Sequence, residues 1–203
     1  MKDLVLNKLM SIIIRDTNHD ETKLIEIRYG LEGLFITVGK LSVFIIISII
    51  LGTFVNLLLF LLFFIPLKST CFGFHAKKSW QCWMISSLAF IGLPLLANYL
   101  ILNTITKIIC ISFIFIFVFL YCPADTPNRP IVSPIYRRKL KITALTITLI
   151  YSCIILSFSS LAGLIILASL YQCFLINPLT YKLFDLQYNN YINYGLERSI
   201  NYG

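Results

Sequence analysis

Long apolar runs broken by short polar stretches set the pattern of this chain. Leu41 to Leu67 carries no charge over 27 positions, and one bilayer crossing needs about 20 residues. Trp80 to Leu100, Ile105 to Tyr121 and Ile142 to Leu179 follow. The last run is long enough for two helices, with Ser157-Phe158-Ser159-Ser160 and Gly163 as the hinge. In the first run Gly52-Thr53 and Asn56 mark a turn, so residues 34–67 form two helices, short or re-entrant. Upstream, residues 1–35 alternate charge with aliphatics, the pattern of two amphipathic helices lying on a membrane surface. They break near Asp16-Thr17-Asn18-His19, which leaves His19 exposed. The pattern predicts an all-α polytopic integral membrane helical bundle of about six crossing or re-entrant helices. Three regions follow: residues 1–35 at the interface, 36–180 embedded, and 181–203 as a tail. The Asn- and Tyr-rich end of that tail, Tyr188 to Gly203, reads as loosely ordered.

Composition sharpens this picture. The chain is 58% hydrophobic and 13% charged, with a mean hydropathy of +0.85, whereas soluble domains carry about a quarter charged residues. The net charge of +8 does not indicate nucleic acid, because the cations cluster between apolar runs. Lys68, Lys77 and Lys78 occupy one such loop, and Arg129, Arg137, Arg138, Lys139 and Lys141 another. Two spans separate these loops, so they share a side, and the positive-inside rule makes that side cytoplasmic. The N-terminal stretch shows no uninterrupted apolar run followed by a small-residue cleavage site. Trp80 and Trp83 read as interfacial anchors.

Candidate chemistry concentrates in C-F-G-F-H-A-K-K-S-W-Q-C, Cys71 to Cys82. The six cysteines are not a disulfide framework, since Cys110, Cys153 and Cys173 lie inside apolar spans and Cys122 at the end of one, where cysteine acts as a small hydrophobe. A metal site is not expected, because Cys71, His75 and Cys82 lack a fourth ligand and match no zinc spacing. Two readings stay open on the residues alone. Cys82 and His75 are packing residues, or Cys82 is a nucleophile whose thiolate is favoured by His75, Lys68, Lys77, Lys78 and a helix N-terminus. For the second, one straight helix would not serve. Positions seven apart lie about 10.5 Å apart along its axis, so His75 must sit in a bend, which Gly73 permits.

Gly73-Phe74-His75-Ala76-Lys77 with Cys82, I-G-L-P-L-L-A at Ile91–Ala97, C-P-A-D-T-P-N-R-P at Cys122–Pro130, the basic run Arg137–Lys141 and R-Y-G-L-E-G at Arg28–Gly33 together resemble the accessory gene regulator B family. The resemblance covers about residues 25–180, and Lys68 stands where the family carries an arginine. It implies a multi-pass plasma-membrane cysteine endopeptidase of Gram-positive quorum sensing, with its active site facing the cytoplasm. His75 and Cys82 match the catalytic pair. The implied reaction removes the C-terminal part of a short signal propeptide through an acyl-enzyme on cysteine. A thiol or hydroxyl within the peptide then closes a thiolactone or lactone ring.

No acid stands beside the pair, and Gln81, Asn98 and Asp125 are the candidates for a third, orienting group. Lys68, Gly73, Arg137, Arg138 and Lys139 are the candidates for substrate binding, the cations against an acidic peptide tail. The loop around Asp125, with Pro123, Pro127, Pro130 and Pro134, reads as a rigid extended connector. No cofactor is expected. Partners are the propeptide, the lipid bilayer and a second copy of the chain. The rival reading is a non-catalytic peptide exporter or membrane scaffold, which would tolerate loss of His75 or Cys82.

Overall fold

The computed structural model of the chain describes residues 7, 10–11, 21–74, 79–126 and 130–192. The chain divides into two units, residues 1–51 and 52–203. Among the described residues, six helices are long and apolar enough to cross a membrane.

The first unit carries α1 (Glu21–Ile50), whose apolar part is Gly30–Ile50. It runs unbroken through residue 35, so the surface segment expected to end there and the first crossing are one helix. A single lysine, Lys40, does not end it, because charge alone leaves the backbone hydrogen bonds intact. Hydroxyls in the apolar part turn inward on the helix itself. Thr37 donates to the Gly33 carbonyl (2.8 Å) and Ser42 to that of Val38 (2.9 Å), which satisfies them in a medium without water. The turn falls where the sequence puts it, with Gly52 at φ +68°, a conformation glycine takes at no steric cost.

The second unit holds α2 (Phe54–Cys71), α3 (Ser79–Ser87), a wider turn over Leu88–Gly92, α4 (Leu93–Ala97), α5 (Thr104–Tyr121), α6 (Pro134–Ser157), α7 (Ser159–Ile176) and the short α8 (Pro178–Leu183). Starts follow the sequence's capping signals. The side chains of Asn103, Ser133 and Asn177 each accept a backbone N–H at a helix start. Pro134 and Pro178 take first-turn positions, where no N–H is needed. The long Ile142–Leu179 run breaks at Phe158, which is extended at φ −121°, inside the serine-rich hinge.

Helix α7 is the hub, packing against α2, α4, α5 and α6. It can do so because Ala162, Gly163, Ala168 and Ser169 are small and buried, and lipid-soluble helices associate through close packing rather than through water exclusion. Phe60, Phe64, Phe90 and Tyr171 interlock where α2 meets α7. The Tyr151 hydroxyl donates to the Phe63 carbonyl (2.9 Å), so this buried polar tip is satisfied.

Hydrogen bonds define the two ends of this unit. At one end Asn56 Nδ2 reaches Asn98 Oδ1 (2.6 Å) and Lys107 Nζ reaches Ser159 Oγ (2.9 Å). At the other, residues 71–74, 122–125 and 172–191 bond to one another. The loop after α2 and the loop before α6 therefore share an end, as the charge pattern predicts.

Candidate functional site

Helix α2 ends at Cys71, and the next residues turn in left-handed backbone, Phe72 at φ 58° and Gly73 at φ 106°. The chain then crosses the end of the bundle under four hydrogen bonds. Gly73 N donates to Ala124 O (2.9 Å), Ala124 N to Cys71 O (2.9 Å) and Phe74 N to Leu175 O (3.0 Å). The Gln172 side-chain amide donates to Phe72 O (2.9 Å). Gly73 is buried, and a Cβ there would lie 2.7 Å from the Leu175 carbonyl oxygen. Close approach, besides the bend, is what the position requires of glycine. Phe74 is then clamped, stacked on Phe184 at 4.9 Å and edge-on to Phe174 and Tyr181.

His75, Lys77 and Lys78 lie outside the described residues. Helix α3 resumes at Ser79 and places Cys82 in its first turns, half-buried and within electrostatic reach of the Tyr171 phenol on α7. The other cysteines sit elsewhere. Cys71, Cys122 and Cys173 are 0%, 4% and 3% exposed. The neighbouring Cys71 and burial push the Cys122 thiol far up, and it donates to the Thr70 carbonyl (3.8 Å). Cys153 is on the outer face of α6, and Cys110 follows Lys107 by one turn, toward the opposite end of α5. Of the six, Cys82 is the one that follows the clamped segment in the chain and is not fully buried. Lys68 lies one turn before the α2 terminus and interacts with Cys71.

Among the described residues, the Asp125 carboxylate meets backbone N–H groups and no thiol. Its side chain is 1% exposed and is occupied by the C-terminal segment. One oxygen accepts from Asn190 N (3.0 Å), the other from Tyr191 N (2.8 Å) and, more loosely, Ile131 N (3.5 Å). Its backbone carbonyl accepts from the Tyr181 hydroxyl (2.9 Å). Burial is the main cause of the raised pKa of Tyr181, and neighbouring Asp125 adds to it; Tyr188 is likewise pushed up to about 12 by burial. Asn190 is buried. Residues 188–192, expected to be loosely ordered, are thus tied down by a carboxylate at the start of a helical turn; residues 193–203 lie outside the described residues. Asn98, the second candidate, bonds Asn56 at the opposite end. Gln81 is half-buried on α3.

The basic cluster divides. Arg137 is committed to the loop: its guanidinium lies 3.8 Å from Asp125, donates to the Pro123 carbonyl (3.4 Å) and covers the Tyr191 ring at 3.7 Å. Arg138 and Lys141 line a recess of about 440 Å³ with Arg137, Tyr121, Tyr188 and Tyr191. Lys139 is exposed on another face of α6. Sequence order grouped Arg137 with Arg138 and Lys139, but a turn of 3.6 residues brings Lys141 round instead. Gln172 and the Asn190–Tyr191 anchor had no sequence signal, since an amide in an apolar helix and an Asn-rich tail have no characteristic spacing.

Six apolar helices and this arrangement of thiol, clamped turn and basic recess define a multi-pass membrane protein with a chemically distinct end. The chain belongs to the accessory gene regulator B (AgrB) family, whose description matches residues 6–176. A protein of Listeria innocua named AgrB-like is 33% identical over 86% of this chain and 87% of its own length. One of Clostridium acetobutylicum, similarly named, is 30% identical over 98% and 97%. One of Lactiplantibacillus plantarum is 26% identical over 85% and 88%. No solved structure shows significant similarity. Family membership gives the protein a role in the agr quorum-sensing system.

Proposed function

We propose that the protein is a cysteine endopeptidase that cleaves a short signal propeptide at the cytoplasmic face of the membrane. The observation that carries this reading is the placement of Cys82. It is half-buried in the first turns of α3, the helix that follows the clamped Phe72–Phe74 segment in the chain, whereas Cys71, Cys122 and Cys173 are buried. In this mechanism His75 takes the Cys82 proton and the sulfur attacks the scissile carbonyl, forming an S–C bond. The C–N bond then breaks as the histidinium protonates the leaving amine. A thiol or hydroxyl within the peptide attacks the resulting thioester, closing a thiolactone or lactone and releasing Cys82. A site at the membrane edge limits hydrolysis of the thioester before the ring closes.

Arg138 and Lys141 receive the acidic tail of the propeptide in the recess that Arg137 helps line, with Lys139 and Lys68 adding charge nearby and Gly73 letting the clamped turn pack closely. Co-expression with the candidate propeptide and mass spectrometry of the products tests the reading. Cleavage is expected with the wild type and with Cys71, Cys110, Cys122, Cys153 and Cys173 changed singly to Ala, and is lost with Cys82→Ala and His75→Ala. Cleavage that survives Cys82→Ala, or that Cys71→Ala abolishes equally, would overturn the assignment.

A further inference from the structure

A charged side chain lies buried at the end of the bundle opposite the basic recess. Lys107, in the first turn of α5, is 6% exposed. Its ammonium donates to the Ser159 hydroxyl at 2.9 Å, and among the described residues that neutral oxygen is the acceptor it meets. An ammonium carries three donors and a full charge, which one hydroxyl does not balance. The surrounding helices hold no carboxylate for it. Between Glu32 and Asp125, and again between Asp125 and Asp185, the chain has neither Asp nor Glu, and Asp125 is engaged at the other end by Asn190 and Tyr191.

Neither topology nor packing accounts for this lysine. Positive charge gathers at the cytoplasmic ends of spans, yet Lys107 stands at the start of α5, the end away from both basic loops. A lysine that only covered apolar surface would keep its head in water, whereas this one turns onto α7. The local field adds to the charge: Lys107 is in the first turn of α5 and Ser159 opens α7, and helix starts carry the positive end of the dipole. The rim is closely built. Gly163, one turn after Ser159, packs on the turn 97–100, where a Cβ would lie 3.7 Å from the Ala97 carbonyl, and Asn98 in that turn bonds Asn56. A buried cation in a membrane protein calls for an anionic partner; here the partner comes from outside the described chain.

We propose that Lys107 and Ser159 form a phosphate-binding site at this end of the bundle. The ammonium pairs with one phosphate oxygen, and the Ser159 hydroxyl, which already accepts from Lys107, donates its own hydrogen to another. Depth selects the ligand. The apolar span of α5 begins at Thr104, so Lys107 lies at the edge of the hydrocarbon, next to the headgroup layer. The phosphate is that of a phospholipid headgroup or a free ion, which share this chemistry. The site does not depend on the reading of Cys82.

The full-length protein is purified in an uncharged detergent, with Arg138 and Lys141 both changed to Gln so that the basic recess does not compete. Phosphatidylglycerol is titrated in, and the first lipid retained is followed by native mass spectrometry. Lys107→Met keeps the stem and removes the charge, and the apparent Kd is expected to rise about tenfold or more, the loss of one hydrogen bond to a charged group. Lys107→Arg keeps the charge and should stay within about threefold; Ser159→Ala should weaken retention about threefold. Diacylglycerol, which lacks the phosphate, should bind no better to the parent than to Lys107→Met. Excess inorganic phosphate that displaces the lipid would show that the site takes the phosphate group itself, whereas lipid retained against it would assign the site to the phospholipid. An equal Kd for parent and Lys107→Met, or diacylglycerol retained as well as phosphatidylglycerol, would overturn the proposal. Should Lys107→Met not fold, the Ser159→Ala and diacylglycerol comparisons decide it, and an unchanged Kd in Ser159→Ala would then refute the site.

Discussion

Asp125→Ala removes a side chain that joins the α5–α6 loop to the C-terminal segment. Two short bonds are lost, to Asn190 N at 3.0 Å and Tyr191 N at 2.8 Å. Hydrogen bonds to a charged group are worth about 1.5–3 kcal/mol each, so the pair contributes about 3–6 kcal/mol. The contact with Ile131 N at 3.5 Å adds little at that length. Arg137 is partly exposed to solvent, so its lost ion pair adds less than a buried one would. At about 2–4 °C per kcal/mol for a chain of this size, the midpoint of thermal unfolding in detergent should fall by on the order of 10 °C. Truncation after Asn189 removes the same two donors. It should produce a similar fall, and the two changes together should cost little more than either alone. A wild-type midpoint in Asp125→Ala, or full additivity with the truncation, would show that the carboxylate does not anchor the tail.

Gly73→Ala places a methyl group 2.7 Å from a backbone oxygen in left-handed backbone; strain of about 1–3 kcal/mol should displace residues 72–74, and propeptide cleavage should fall more than the unfolding temperature does. Cleavage at wild-type rate would show that the segment need not be held so closely. Neutralising Arg138 and Lys141 together should raise the propeptide concentration for half-maximal cleavage and flatten its salt dependence, because exposed charges are screened over about 8 Å at physiological salt, while kcat should hold. Equal salt dependence in variant and wild type would leave the cluster a purely topological role. In a cysteine-depleted background, single thiols introduced at positions 77 and 138 should both resist an impermeant reagent applied to intact cells. Labelling of position 138 from outside would refute the six-crossing arrangement.

The sequence by itself determined the membrane class, the helix count and the breaks between helices. These are written locally: charge-free runs as long as a bilayer, Gly52 where the backbone turns left-handed, Asn103, Ser133 and Asn177 where orphan N–H groups need acceptors. Charge placement also put the two basic loops at one end. The family resemblance, carried by short motifs around His75 and Cys82, supplied the candidate chemistry. What only the tertiary structure decided is how polar groups far apart in sequence share one buried end. Asp125 looked available as an orienting acid and is spent on a tail 65 residues away. Gln172 carries no signal in the sequence and reaches Phe72 across 100 residues. Helix length and breaks follow from each residue's own backbone and its few neighbours, whereas the satisfaction of a buried amide or carboxylate depends on which helix packs beside it, and that is settled when α7 closes against α2 and α5.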